Sequence, residues 1–157
     1  MNCLALLIHE MAGETAARRK MLTEALVGLI FSRLALRFVS FDRIESIFTS
    51  RVSFEEQNRE KRHTRIADVR WAVFRARRYL PGDTVCFPRA ITAQWMLRRR
   101  GISTQIYYGA RSTSENGLKT HVWLRDGDTD VINCKSAPVY HTLAQYNNAS
   151  SQKCDTT

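Results

Sequence analysis

Apolar positions between residues 14 and 38 recur at helical spacing. Leu22, Leu26, Leu29, Ile30, Leu34 and Phe38 share one broad face, with Arg33 at its rim. No Pro interrupts the stretch, and Gly28 is its only interior Gly. A long amphipathic helix that packs against the body follows. Ser40 is placed to cap a short second helix through Phe48. Ser53-Phe54-Glu55-Glu56 has the form of a capping box. It predicts a helix that runs, with a break near His63, to Tyr79. On that helix Ile66, Val69, Ala72, Val73, Ala76 and Leu80 share a face, flanked by Arg65, Arg70, Arg75, Arg77 and Arg78.

Leu80-Pro81-Gly82-Asp83-Thr84 is a turn. In the helix expected from Cys86, Pro88 fits the first turn and Gly101 the C-terminal cap. Arg98, Arg99 and Arg100 then fall in the last turn, where cations oppose the helix dipole favourably. Beyond Gly101 the period changes. Ile102, Thr104, Ile106 and Tyr108 alternate as in a strand. Residues 110–119 are polar and predict a loop. Residues 121–124 and 130–133 predict two short strands, joined by a turn carrying the Asp126-Gly127 hairpin signal. Residues 138–146 predict a last short helix, and 147–157 a flexible tail. Helices first and an antiparallel sheet after them make the class α+β. We expect one domain over 1–146, with a helical scaffold over 1–64 and a core over 65–146.

The 157 residues suit a single core, and 44% are hydrophobic. The 24 basic against 15 acidic residues give a net charge of +9. Such a surface attracts nucleic acid, acidic headgroups or acidic peptides without choosing among them. The four cysteines, Cys3, Cys86, Cys134 and Cys154, form no CxxC pair, so a zinc site has little support. Reduced thiols in a cytoplasm fit their spacing better than a disulfide framework. The longest apolar region, 22–41, contains Glu24, Arg33 and Arg37, which argues against a membrane span. The short apolar run at the start has no positive region ahead of it, which argues against a signal peptide.

Chemistry concentrates at two residues. Cys86 lies at or just before a helix start, where backbone N–H groups and the dipole favour a thiolate and can receive an oxyanion. His121 opens a strand after a polar stretch. Packed against the start of the Cys86 helix, it would serve as base toward the thiol and as acid toward a leaving amine. Trp123 shares the strand face of His121 and would shield the pair.

Five stretches together carry a family resemblance. These are Cys86-Phe87-Pro88-Arg89-Ala90, the run from Trp95 to Ile102, Tyr108-Gly109-Ala110-Arg111, His121-Val122-Trp123-Leu124 and Val131-Ile132-Asn133. The chain resembles the lasso-peptide leader peptidases, a transglutaminase-like branch of the cysteine peptidases, from about residue 24 to 146. The resemblance implies a transglutaminase/papain-like core with a catalytic helix packed on a small antiparallel sheet. It implies a peptidase that cuts the leader from a ribosomally made precursor peptide. A separate leader-recognition protein would work with it, and a macrolactam synthetase would close the ring. No metal or organic cofactor is implied.

The family's triad ends in Asp shortly after the His. Here the stretch reads Val131-Ile132-Asn133-Cys134, with Cys134 where the Asp is expected. Asn133 is the nearest capable residue, because an amide oxygen can accept the imidazole N–H. Asn133 and Cys134 face opposite ways on a regular strand, so a bulge or shifted register is required. Asp130 is the alternative, Asp126 and Asp128 read as turn residues, and an absent side-chain orienter stays open. Two other functions remain in view: a non-catalytic binding protein of the same pathway, and a basic nucleic-acid-binding module. The second lacks a recognisable motif.

Overall fold

The computed structural model describes residues 13–38, 58–81, 86–113, 117–147 and 151–152. Among the described residues three helices precede the sheet: α1 (Ala16–Phe38), α2 (Arg59–Arg77) and α3 (Cys86–Arg98). The strands β1 (Gln105–Thr113), β2 (Gly117–Asp126), β3 (Thr129–Ile132), β4 (His141–Asn147) and β5 (Ser151–Gln152) follow, with a 3-10 turn at Cys134–Val139 between β3 and β4. The expected α+β class holds. The sheet is antiparallel, in the order β3-β2-β1-β4-β5.

α2 buries the face its sequence predicts: Ile66, Val69, Ala72, Val73 and Ala76. It runs without a break through His63, and the Asn58 side chain caps it by accepting from the Glu60 N–H at 3.0 Å. The Ser53 capping box and the helix expected after Ser40 lie outside the described residues. Because α2 spans residues 59–77, the expected scaffold–core division at 64/65 falls inside a helix.

α1 packs on a narrower face than its hydrophobic pattern predicts. Leu22, Ala25, Gly28, Leu29 and Ser32 are buried, whereas Ile30, Leu34 and Phe38 are exposed. On its buried side α1 approaches α3 closely. A Cβ at Gly28 would lie 2.7 Å from Thr92 Cγ2, and Ser32 Oγ hydrogen-bonds Thr92 Oγ1 at 3.3 Å. The close side of α1 must therefore be small.

Glu24 pairs with Arg100, the closest contact being 2.6 Å, and Arg100 also donates to the Met96 carbonyl at 2.7 Å. Arg99 lies over the Trp95 ring. The end of α3 thus uses part of its arginine triplet within the fold. Gly101, at φ 72°, ends the helix in the left-handed region, and the Ile102 N–H returns to the Leu97 carbonyl at 3.0 Å.

Three expectations for the sheet need correction. Residues 110–113 and 117–119, expected in a loop, are strand. β1 continues to Thr113 and pairs with β2 from Arg111↔Lys119 out to Thr113↔Gly117. Residues 138–146 are not a helix. After the 3-10 turn, β4 completes the free edge of β1, with Ile106↔Tyr146 and Ala110↔His141 in register. Within the expected tail, Ser151–Gln152 pair with β4.

The apolar core lies between the helices and one face of the sheet. Val122, Leu124, Val131 and Ile132 meet Ala90, Ala93, Met96 and Leu97 there. Arg62 at the start of α2 grips both carboxylate oxygens of Asp126 at the end of β2, its Nε at 2.6 Å. That pair ties the helical layer to the sheet, and it raises the Arg62 pKa chiefly through the hydrogen bond to Asp126.

Candidate active site

Cys86 is the first residue of α3 and is half-buried. Its backbone N–H therefore precedes the helical ladder. Pro88 is buried in the same first turn. His121, on β2, and Cys86 line one cavity of about 540 Å³ together with Asn133 and Asp130. The structure thus brings to one hollow every residue singled out for catalysis, including the two rivals for the third position.

Asn133 meets His121 through its backbone. His121 Nε2 lies 2.9 Å from the Asn133 carbonyl oxygen. A carbonyl can only accept, so Nε2 carries the hydrogen in the neutral ring and Nδ1 keeps its lone pair. The Asn133 side chain does different work. Its Nδ2 donates to the Cys86 carbonyl at 2.9 Å and to the Val122 carbonyl at 3.0 Å, joining the start of α3 to the strand that carries His121.

Two backbone features make this possible. The β2–β3 register shifts between Leu124 and Arg125, so Leu124 faces Ile132 while Arg125 faces Asp130. That is the irregularity the sequence required. Asn133 then turns into the left-handed region at φ 62°, the one non-Gly residue there among the described residues. Asn tolerates that conformation better than most residues.

Asp130 is engaged elsewhere, its Oδ1 3.2 Å from Arg125 Nε. Asp126 is held by Arg62. Cys134 points its thiol at the Leu124 and Ile132 carbonyls, at 3.2 and 3.3 Å. Burial, then the nearby Asp130 charge, pushes that thiol up to about 11. It is a protonated donor at neutral pH.

The imidazole sits between aromatic rings. Trp123 stacks at 5.9 Å between centroids and Tyr140 at 4.9 Å. Tyr107 stacks in turn on Trp123 at 5.7 Å, and Arg111 lies over Tyr140 at 5.3 Å. Gly109 faces His121 across the β1–β2 ladder, and a Cβ there would come within 2.9 Å of the Trp123 ring. The Gly109-Ala110-Arg111 stretch therefore has a packing reason: Gly109 admits the indole and Arg111 backs Tyr140. Tyr140 was not foreseen, because 138–146 reads as helix by composition. Residues 141–146 show no apolar/polar alternation that would have marked a strand.

Among the described residues, no three His, Cys, Asp or Glu side chains are grouped to hold a metal ion. No described helix is long and apolar enough to cross a membrane. Residues 28–144 match the sequence model of the transglutaminase-like superfamily. The chain belongs to that superfamily. A transglutaminase-like fold is of the cysteine-peptidase type, and the superfamily contains enzymes of the cysteine-protease kind. No curated protein and no solved structure matches the chain.

Proposed function

We propose that this transglutaminase-like protein is a cysteine peptidase that removes the leader from a ribosomally made lasso-peptide precursor. Cys86 is the nucleophile and His121 the base. A separate leader-recognition protein delivers the precursor, and a macrolactam synthetase uses the product. The observation that carries the chemistry is the shared cavity of Cys86 and His121, with His121 Nε2 bound to a carbonyl. That bond leaves Nδ1 as the ring nitrogen able to take the thiol proton.

The steps follow from these positions. Nδ1 takes the Cys86 proton, and the thiolate attacks the scissile carbonyl. The Cys86 N–H at the helix start is placed to stabilise the oxyanion. His121 returns the proton to the leaving amine, leaving a thioester. The same nitrogen then activates water, whose attack releases the acid and restores the thiol. Throughout, the Asn133 carbonyl holds Nε2–H and stabilises the imidazolium. Trp123 and Tyr140 hold the ring plane.

One observation favours a second reading, a non-catalytic member of the same pathway. Among the described residues no carboxylate bonds His121, and the position of the family's Asp holds a thiol pushed to about 11. Incubating purified protein with a candidate precursor, with and without its leader-binding protein, and weighing the products separates the two. The peptidase yields a free leader, faster with the partner, because capture raises the effective concentration of the scissile bond to roughly millimolar. An intact precursor under both conditions favours the second reading.

A further inference from the structure

The cavity that holds Cys86 is bordered by cations. Arg70 on α2, Arg89 on α3 and Lys135 just past β3 all line it. The one acidic side chain among its described lining residues, Asp130, is paired with Arg125. Arg70 and Arg89 converge from two helices on a single ring, each guanidinium carbon 6.0 Å from the centroid of Phe74. Phe74, itself a lining residue, is 38% exposed. Arg89 lies one helical turn beyond Cys86, on the same side of α3. Burial, then the charge of Arg77, lowers the Arg89 pKa, while Cys86 opposes the shift. Arg89 and the thiol are thus in electrostatic reach of one another.

We propose that Arg70 and Arg89, on the Phe74 platform and with Lys135 across the cavity, form an anion subsite that binds a carboxylate of the peptide substrate next to the scissile bond. The subsite rests on the peptidase reading for its purpose but not for its existence. Two sources share the chemistry: an acidic side chain, or the C-terminal carboxylate of a short peptide. A backbone phosphate would be drawn to the same charge, but the aromatic floor and the nearby thiol favour a peptide.

The test reads labelling, not cleavage. The full-length protein is alkylated with iodoacetate and, separately, with iodoacetamide, and peptide mass spectrometry follows Cys86 apart from the other three cysteines. The ratio of the two rates cancels intrinsic thiol reactivity and reports local charge. Removing one cation about 4 Å from the reagent should lower the iodoacetate preference roughly fivefold even in water. We expect Arg70→Gln and Arg89→Gln each to lower the ratio by about that factor. In 1 M salt, with a Debye length of about 3 Å, the wild-type ratio should collapse. Arg70 is exposed, so Arg70→Gln and the salt series stand even if Arg89→Gln misfolds. A ratio unchanged within twofold by both overturns the subsite.

Competition then identifies the source. Acetylated, amidated hexapeptides with one Glu or one Gln, and the Gln peptide with a free C-terminal acid, are offered as protectants of Cys86. Protection by the amidated Glu peptide over its Gln twin assigns a side chain. Protection by the free acid alone assigns the chain terminus. Protection by none of them, or by an oligonucleotide alone, overturns the proposal. A protein that passes these tests yet leaves every precursor intact refutes the peptidase reading and keeps the subsite.

Discussion

Replacing Asn133 separates two ways of orienting His121. In a papain-like arrangement an amide oxygen from the side chain holds the imidazole, and a carboxylate in its place would serve as well or better. Here the backbone carbonyl holds His121, and the side chain donates two hydrogen bonds, to Cys86 O and Val122 O. Asn133→Ala keeps the carbonyl but loses both donors, at about 1 kcal/mol each. It also places Ala at φ 62°, a further cost of about 1 kcal/mol. The sum is about 3 kcal/mol of stability. Turnover should fall by roughly one to two powers of ten, because the carbonyl loses its anchor rather than its chemistry. Asn133→Gly loses the same bonds but tolerates the left-handed backbone, so it should be about 1 kcal/mol more stable than the Ala variant. Asn133→Asp should be worst, since a carboxylate would face two carbonyl oxygens with no hydrogen to donate. Urea unfolding gives the stability order, and single-turnover cleavage of one precursor gives the rates. An Asp variant as active and as stable as the native protein would refute the backbone account.

Further outcomes follow from the same geometry. His121→Ala should stop leader removal while circular dichroism stays native; near-normal rates would mean another base. Gly109→Ala should push the Trp123 ring and cost about 1–3 kcal/mol, with turnover falling further than stability alone explains; a silent variant would dismiss the stacked support of His121. Cys134→Ala should leave turnover nearly unchanged, and Cys134 should resist alkylation at pH 7. Its folded pKa is raised above the usual 9.0 to about 11, so the unfolded thiol ionises first and stability should fall as pH rises across that window; removing the thiol should flatten that slope. Asp126→Asn should cost about 1–3 kcal/mol by leaving part-buried Arg62 without its carboxylate, with the pH profile of turnover unchanged; a shifted profile would bring Asp126 back as a partner of His121.

The parts legible in the sequence were those where one face is buried. The apolar positions of α2 reappear in the core, and the start of α3 is marked by Cys86 and Pro88. The buried side of α1 is centred on the small residues Ala25, Gly28 and Ser32 with Leu22 and Leu29, which hydrophobicity alone does not single out. The first residues of β2 were missed because they carry no burial signal: positions 117–120 are all exposed, Leu118 at 68%, and the backbone ladder carries their pairing with β1. That Cys86 and His121 would share one hollow was legible from chemistry and order. The role of Asn133 was legible only in part. The sequence singled out the residue and the need for an irregular strand, but not that φ 62° would turn its carbonyl to the imidazole and its amide to Cys86.

If Cys86 is the nucleophile, it carries the acyl group of the cleaved leader during turnover. Rapid quenching of protein, leader-binding partner and precursor at low pH, followed by intact-mass measurement, tests it most directly. The native protein should show an adduct equal to the leader's acyl fragment, lost on treatment with hydroxylamine. Cys86→Ala should show neither adduct nor cleavage while retaining its fold. Cleavage by folded Cys86→Ala at the native rate would contradict the account.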